Sequence, residues 1–347
     1  MTRAVVVDDS HFMRTVITDI LESGDIDVVA EATDGREAVD VVAEHEPDVV
    51  TMDVEMPRMN GIEAVEEIME STPTPILMLS AHTEDGAEAT FEALDRGAVD
   101  VLAKPGGEVS TGISAIKDDL VETVKSVVRA DPSTVDESTT DHDTPDVDDA
   151  DEFVENPTVV IGASTGGPSV VENVLSGLPA EANLRILIVQ HMPDSFTSRF
   201  AKRLDSRSEY DVREASDGDR IGGGEALVAK GDYHMVVSNY SSGRLRVKLN
   251  QDSERHGVRP AIDTTMESAA ETISDSLTGV VLTGMGADGA AGIEAIKDAG
   301  GQTIAQDEET CSVFGIPARA IETGCVDEVM PEGRVARGIL STVRKST

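Results

Sequence analysis

Residues 158–168 read T-V-V-I-G-A-S-T-G-G-P, which is an apolar run followed by a glycine-rich turn that contains Ser164. Glycine permits a tight turn, and Pro168 suits the first turn of a helix. A strand, a short turn and a helix in this order form the repeating unit of parallel α/β proteins. The stretch therefore predicts an α/β fold, with Ser164 exposed at the turn between a strand and a helix N-terminus.

The same alternation of strand and helix patterns continues on both sides of this stretch. Before it, the strand candidates are Ala4–Val7, Asp27–Ala30, Val49–Met52, Ile76–Leu79 and Val99–Leu102. From it onward, they are Val159–Gly162, Arg185–Gln190, Ala226–Ala229, Thr278–Leu282 and Thr303–Ala305. One helix candidate is Ile262–Ile273, with Ile262, Met266, Ala269 and Ile273 on one face. We predict two doubly wound parallel-sheet domains, 1–130 and 157–347.

The segment 131–156 joins the two predicted domains and has a different composition. It contains 11 Asp or Glu residues and no Lys or Arg. A segment with so little to bury and so much like charge is typical of a flexible, self-repelling linker.

Acidic residues are also in excess throughout the folded parts of the chain. The net charge is −39, and without the linker 56 acids still face 28 bases. Such a surface repels phosphates, which excludes general nucleic-acid binding, and it suits concentrated salt, so a halophilic host is indicated. With no long apolar run and no signal-peptide pattern, we expect no membrane insertion and a cytoplasmic location. The two cysteines, Cys311 and Cys325, form no metal or redox motif, so two buried free thiols are expected.

Five polar residues of the N-terminal half lie at carboxyl ends of predicted strands, where parallel sheets bind ligands. They are Asp8, Asp9, Asp53, Ser80 and Lys104. Three carboxylates at one point repel one another unless a hard divalent cation, most simply Mg²⁺, lies between them. The pattern therefore predicts a metal site, with Asp53 as a nucleophile for a phosphoryl group, Lys104 neutralising charge and Ser80 binding the phosphate.

The strings V-V-V-D-D-S-H-F-M-R, M-D-V-E-M-P-R-M-N-G, L-M-L-S-A and L-A-K-P closely resemble those of response-regulator receiver domains. The resemblance implies a flavodoxin-like fold, phosphorylation of Asp53 by a histidine kinase, and Mg²⁺ bound by Asp8, Asp9 and Asp53. The chain departs from many receivers at Val101, where an aromatic switch residue is common. Rotation of an aromatic ring is therefore not the expected output step.

In the C-terminal half, Ser164, His191 and Asp288 all follow strands of one predicted sheet. That placement is what a nucleophile, a general base and an orienting carboxylate require. Taken singly, the glycine loop fits an anion-binding or structural turn as well as a nucleophile. The chain order Ser–His–Asp also differs from that of α/β-hydrolases.

The glycines of 284–289 support an alternative, because G-M-G-A-D-G has the form G-x-G-x-x-G and Asp307 follows the next strand. This is close to a dinucleotide-binding fingerprint. Against it, Asp288 would lie where a pyrophosphate must bind, and Ser164 and His191 would have no function.

The strings G-A-S-T-G-G-P, V-Q-H-M-P, L-T-G-M-G-A-D-G and A-Q-D-E-E-T-C-S-V-F-G-I-P resemble the catalytic domain of chemotaxis protein-glutamate methylesterases. The resemblance implies a Rossmann-like methylesterase domain in which Ser164 attacks glutamate γ-methyl esters, His191 is the base and Asp288 orients it. It also implies an oxyanion donor at the Met285 amide and support of His191 by Thr165. No cofactor is expected for ester hydrolysis.

The resemblance further implies the partners of the protein. The substrates are methyl-accepting chemotaxis receptors, whose glutamines are deamidated in some cases, and the phosphodonor is the chemotaxis histidine kinase. Phosphorylation of Asp53 is expected to activate the esterase. A non-catalytic output module behind a receiver remains the competing hypothesis, and it predicts that Ser164 is dispensable.

Overall fold

The computed structural model describes residues 1–80, 91–104, 113–128 and 152–345, without the side chains of 103 and 113–119. The chain divides into two compact units, Met1–Thr139 and Thr140–Thr347. Residues 131–151 of the predicted linker lie outside the described residues, so the flexible character of 131–156 stays a prediction.

The N-terminal unit is built on a five-stranded parallel sheet with the order β2-β1-β3-β4-β5. The strands are β1 (Thr2–Val7), β2 (Ile26–Ala32), β3 (Val49–Asp53), β4 (Ile76–Ser80) and β5 (Asp100–Ala103). The helices are α1 (His11–Ser23), α2 (Gly35–His45), α3 (Gly61–Ser71) and α4 (Ile113–Val127). This is the flavodoxin-like strand order, as predicted.

Burial explains why the strands of this unit form uninterrupted apolar runs. All five residues of β3 and of β4 are buried, as expected for a parallel sheet covered on both faces. On one face, Ile17 and Leu21 of α1 share a core cluster with Leu120 and Val124 of α4. All five predicted strands are confirmed, with ends that shift by one or two residues.

The C-terminal unit contains a seven-stranded parallel sheet with the order β15-β14-β13-β6-β7-β10-β8. Its strands are β6 (Thr158–Ala163), β7 (Arg185–Gln190), β8 (Asp211–Glu214), β10 (Glu225–Val228), β13 (Leu277–Val281), β14 (Gln302–Gln306) and β15 (Glu328–Met330). The helices of this unit are α5 (Gly167–Ser176), α6 (Asp194–Arg207), α7 (Ile262–Thr272), α8 (Ala290–Asp298), α9 (Ile316–Glu322) and α10 (Glu332–Val343).

The prediction of one buried helix face in this unit is confirmed. Ile262, Met266, Ala269 and Ile273 all belong to the main hydrophobic cluster beside the sheet. Helix α5 was predicted to begin at Ser169. It begins at Gly167, because the left-handed Gly166 (φ 72°) turns the chain directly into the helix.

A small antiparallel sheet was not predicted from the sequence. It has the order β11-β12-β9, formed by β9 (Arg220–Ile221), β11 (His234–Ser241) and β12 (Arg244–Asn250). Ser242 and Gly243 connect β11 to β12 with positive φ values of 51° and 74°, as in a type I′ hairpin turn. The Ser-Gly pair between two β-rich runs was the available sequence signal.

Two further expectations from the sequence concern the cysteines and membrane-spanning helices. Cys311 and Cys325 are free, as expected, but both are half-buried rather than buried. Among the described residues, none of the helices has the length and apolar character needed to cross a bilayer.

Arg185 is fully buried where β7 enters the sheet of the C-terminal unit. Its guanidinium donates to the Thr158 hydroxyl at 3.0 Å, to the Gly243 carbonyl at 2.9 Å and to the Asn156 carbonyl. It also lies 4.8 Å from the centre of the Tyr240 ring. This side chain therefore fixes the start of β6 to the hairpin of the small sheet.

We predict that Arg185→Ala lowers the free energy of unfolding of the C-terminal unit by about 3 kcal/mol, because several acceptors lose their donor together. All three tyrosines of the chain, Tyr210, Tyr233 and Tyr240, belong to this unit. Tyrosine fluorescence during urea unfolding in concentrated KCl therefore reports on it selectively. The exposed Arg220→Ala is the control and should change stability by less than about 0.5 kcal/mol. Equal stability of the two variants would contradict the prediction.

Candidate active site

Three acidic residues of the N-terminal unit lie together at the carboxyl ends of the neighbouring strands β1 and β3. β1 has β2 on one side and β3 on the other, so the loops after β1 and β3 are neighbours. Oxygens of Asp8, Asp9 and Asp53 all lie within 4.8 Å of one another. Asp8 and Asp53 are buried, whereas Asp9 is exposed. The structure thus brings together the three carboxylates that the sequence placed at strand ends.

Lys104 follows β5 and reaches this cluster from the other side. Its Nζ atom lies 2.6 Å from Oδ2 of Asp53 and 2.8 Å from Oδ2 of Asp8. Burial raises the pKa of Asp53 to about 6, although Lys104 opposes the rise. Burial by itself would lower the pKa of Lys104, but the two carboxylates raise it above its usual value. Ser80, the last residue of β4, is buried, and its carbonyl accepts the Lys104 amide at 2.8 Å.

One oxygen in the cluster tests whether a divalent cation fits here. Oδ2 of Asp8 is buried, and within the described part of the chain it faces the Lys104 ammonium at 2.8 Å without a further hydrogen-bond donor. A buried anionic oxygen in this state, with Asp9 and Asp53 nearby, is the ligand type that Mg²⁺ prefers. The residues present therefore fit a magnesium site.

In the C-terminal unit, Ser164 and His191 follow two neighbouring strands. Ala163 of β6 is paired with Gln190 of β7, so the next residues of both strands leave the sheet side by side. The His191 amide donates to the Ala163 carbonyl at 3.0 Å. Among the described residues, no hydrogen bond joins the Ser164 hydroxyl to the His191 ring, a contact that often tightens only when substrate binds.

Gln190 ties the nucleophile loop to the histidine loop. Its side-chain amide donates to the Ser164 carbonyl at 2.8 Å and to the His191 carbonyl at 3.2 Å. Gln190 is buried, so these bonds are shielded from water. The backbones that carry Ser164 and His191 are therefore held at a fixed separation by one side chain.

The structure brings His191 into contact with Asp288, the carboxylate predicted to orient it. Nε2 of His191 lies 2.8 Å from Oδ2 of Asp288. Asp288 is buried and also accepts the backbone amides of Ile262 at 2.7 Å and Asp263 at 2.9 Å. Burial alone would raise the pKa of Asp288, but His191 and these two amides lower it below its usual value. Asp288 is therefore an ionised acceptor for the Nε2–H of His191.

The glycine loop after β13 passes directly against the nucleophile. A Cβ atom placed on Gly284 would lie 2.7 Å from Cβ of Ser164 and 2.7 Å from Cδ1 of Ile316. The Ser164 amide also donates to the Thr283 carbonyl at 3.0 Å. Met285 is the next residue along this loop, so its backbone lies close to the serine.

Thr165 was expected to support His191 through its side chain, and the structure shows a different contact. It is buried, and its carbonyl accepts the Thr283 hydroxyl at 3.0 Å. The described residues show no hydrogen bond between the Thr165 hydroxyl and His191. Thr165 thus secures the serine loop to the loop after β13 through its backbone, and support of His191 by its side chain stays a prediction.

The structure gives no support to dinucleotide binding at 284–289. The helix-terminal amides that would bind a pyrophosphate are already used, since Gly289 and Gly292 donate to Oδ1 of Asp263 at 2.8 and 2.7 Å. The Asp307 carboxylate accepts the Thr310 amide and hydroxyl in a local turn. These glycines instead shape the loop that carries Asp288.

Three supporting residues were not identified from the sequence: Gln190, Asp263 and Thr283. Gln190 stands inside the quoted V-Q-H-M-P string, and Thr283 inside L-T-G-M-G-A-D-G. Asp263 is one acid among 67, and no pattern distinguishes it from the acids of the solvated surface.

Comparison with known proteins identifies the family of the chain. Residues 159–339 match the CheB methylesterase family, and residues 4–113 match the response regulator receiver domain. A Halobacterium salinarum protein named protein-glutamate methylesterase/protein-glutamine glutaminase is 59% identical over 347 residues, covering all of both chains. A Pyrococcus abyssi protein of the same name is 44% identical and covers 98% of this chain and 93% of its own.

A solved structure agrees with the C-terminal unit. The Thermotoga maritima CheB methylesterase catalytic domain is 40% identical, with a TM-score of 0.52, and covers 55% of this chain and 100% of its own. The identity over the full length, together with the two domain matches, establishes the family. The chain belongs to the CheB methylesterase family of enzymes, in the form in which a response regulator receiver domain precedes the esterase domain.

Proposed function

We propose that this protein hydrolyses glutamate γ-methyl esters on chemotaxis receptors by a Ser164–His191–Asp288 mechanism. The observation that carries the proposal is the 2.8 Å contact between His191 and Asp288, beside a serine at the end of the neighbouring strand. The names of the full-length relatives supply the substrate class.

The hydrogen bond to Asp288 decides which nitrogen of His191 is the base. Because Asp288 binds Nε2, that nitrogen carries the proton, and Nδ1 is left to accept the proton of the Ser164 hydroxyl. The ionised Asp288 then stabilises the imidazolium that forms. The serine oxygen attacks the ester carbonyl, and the Met285 amide is proposed to bind the developing oxyanion.

The remaining steps return the enzyme to its starting state. The tetrahedral intermediate expels methoxide, which takes the proton from Nδ1 and leaves as methanol, so that the glutamyl group stays on Ser164. Water then loses a proton to His191 and attacks this acyl-enzyme. The second tetrahedral intermediate expels the Ser164 oxygen, which takes the proton back from His191, so the products are a receptor glutamate and free Ser164.

The same acyl-enzyme accounts for deamidation of receptor glutamines. There ammonia is the leaving group, and the second step is identical. The relatives carry both activities in their name, and we propose both for this chain. We propose that the reaction takes place in the cytoplasm, with chemotaxis receptors as substrates and the chemotaxis histidine kinase as phosphodonor.

We also propose that phosphorylation of Asp53 raises the esterase activity. Asp53 supplies the nucleophilic oxygen, and Lys104 and Ser80 lie at the same sheet edge to bind the phosphoryl group. Asp8, Asp9 and Asp53 would hold Mg²⁺, which neutralises phosphoryl oxygens during transfer when it is bound. The raised pKa of Asp53 reflects a buried carboxylate in a cluster suited to a cation.

Ser164→Ala should lower methanol release from methylated receptor membranes by at least roughly 1,000-fold, because the nucleophile is lost. Asp53→Asn should keep basal release and lose the increase caused by a small phosphodonor with Mg²⁺. Release is measured in concentrated KCl on the full chain. Full methanol release by Ser164→Ala would show that another group is the nucleophile, and absence of release from wild type would favour a non-catalytic output module. A phosphodonor response in Asp53→Asn would place the phosphorylation site elsewhere.

Gly284→Ala should lower kcat about 100-fold while the protein stays folded, because the new methyl group displaces Ser164. The matched control is Gly333→Ala, where a Cβ has nothing within 4 Å. Methanol release and circular dichroism of both variants test this. If Gly284→Ala retains the activity of the control, the loop does not hold Ser164 as described.

Asp9→Asn should weaken Mg²⁺ binding by about tenfold or more, since a charged oxygen ligand is lost at a site of few ligands. Titration calorimetry of the full chain in KCl measures the affinity directly. Asp27→Asn, an exposed residue of the edge strand β2, is the control for non-specific binding to acidic surface. Equal Mg²⁺ affinity of both variants would remove Asp9 from the metal site.

A further inference from the structure

A second buried carboxylate, Asp263, lies next to the catalytic carboxylate Asp288. An oxygen of each lies within 4.8 Å of the other. Asp263 is fully buried, in the first turn of α7, and Asp288 immediately precedes α8. Two buried negative charges this close repel each other, so the structure must contain donors that hold both.

The two carboxylates exchange helix caps. Asp288 accepts the amides of Ile262 and Asp263 at the start of α7. Asp263 in turn accepts the amides of Gly289 and Gly292 at the start of α8. Neither helix has a side-chain cap from its own N-cap residue, so each depends on the carboxylate of the other.

The other oxygen of Asp263 has two side-chain partners of its own. Oδ2 lies 2.8 Å from Nε2 of His256 and 3.3 Å from a guanidinium nitrogen of Arg255. Arg255 is in turn held by Glu267 through bonds of 2.5 and 2.7 Å. The hydrogen bonds with Glu267, followed by the charges of Asp263 and Asp288, raise the pKa of Arg255. Asp263 is therefore surrounded by donors.

These contacts do not describe a metal site, although His256, Asp263 and Asp288 lie together. Amides and ring nitrogens already occupy the carboxylate oxygens, and the cationic Arg255 lies 3.3 Å from Asp263. A divalent cation would have to displace these donors beside a positive charge.

We propose that Asp263 is a positioning residue for the esterase. By fixing Gly289 and Gly292 it fixes the segment that carries Asp288, and through Asp288 it fixes the Nε2–H of His191. The inference rests on the proposed function. It adds a residue that does not touch the substrate but sets the alignment of the base.

The test compares three variants of the full chain in concentrated KCl. Asp263→Ala removes the oxygen that accepts the Gly289 and Gly292 amides at the start of α8. Asp263→Asn keeps one side-chain oxygen that can accept these two amides. Glu271→Gln is the matched control, because Glu271 is an exposed acid on the same helix α7. The readouts are kcat and KM for methanol release, and the downfield proton resonance of the His191 Nε2–H, assigned by its loss in His191→Gln.

Asp263→Ala is expected to lower kcat about 10- to 100-fold with KM within about twofold, and to lose the His191 resonance through exchange with water. Asp263→Asn should keep the resonance and more activity than Asp263→Ala, and the control should match wild type. A merely structural role would lower the amount of folded protein without changing the resonance of the folded fraction.

Wild-type kcat in Asp263→Ala, or a persisting resonance in that variant, would overturn the inference. If Asp263→Ala does not fold, the test rests on Asp263→Asn, which keeps the acceptor of the Gly289 and Gly292 amides. Loss of the His191 resonance in Asp263→Asn would contradict positioning through these hydrogen bonds. Failure of the proposed function is distinguishable, since wild type and control would then release no methanol, while the resonance still tests Asp263.

Discussion

A carboxylate that is removed from water must be given donors or a cation, and both functional sites of this chain are arranged around that constraint. In the N-terminal unit, Asp8 and Asp53 are buried and share the Lys104 ammonium, and among the described residues no further donor reaches Oδ2 of Asp8. In the C-terminal unit, Asp288 is satisfied by two backbone amides and a histidine. The first arrangement leaves three carboxylates around one ammonium and suits a divalent cation, whereas the second already has a donor for each carboxylate oxygen.

This difference matches the chemistry proposed for the two carboxylates. Burial raises the pKa of Asp53, whose carboxylate lies beside Lys104 in a cluster that suits a cation and a phosphoryl group. The donors around Asp288 lower its pKa despite burial, which suits a carboxylate that orients a base and does not itself react. The environment of each carboxylate, more than its residue type, therefore sets what it does.

The topology of the parallel sheets brings the loops that carry the site residues close to one another. β6 lies between β7 and β13, so the loops that carry Ser164, His191 and Asp288 leave adjacent strands at one edge. Gln190 and Thr283 then join these loops by hydrogen bonds across the strand ends. Because Gly284 has no side chain, the loop after β13 can pass directly against Ser164. The same principle brings Asp8 and Asp53 together in the smaller sheet.

The amino-acid sequence alone was enough to predict the two α/β units, the strands of both parallel sheets that are continuous apolar runs, and the residues at their carboxyl ends. Burial on two faces and glycine turns leave local patterns, and parallel strands place their ends at one edge. The sequence did not predict the hairpin of β11 and β12, whose half-exposed strands carry many polar residues. The contact of Asp288 with Nε2 of His191, and the capping of α8 by Asp263, became visible from the packing of the helices. Such contacts depend on how helices pack around the sheet, and one buried acid among 67 has no local pattern that separates it from the solvated ones.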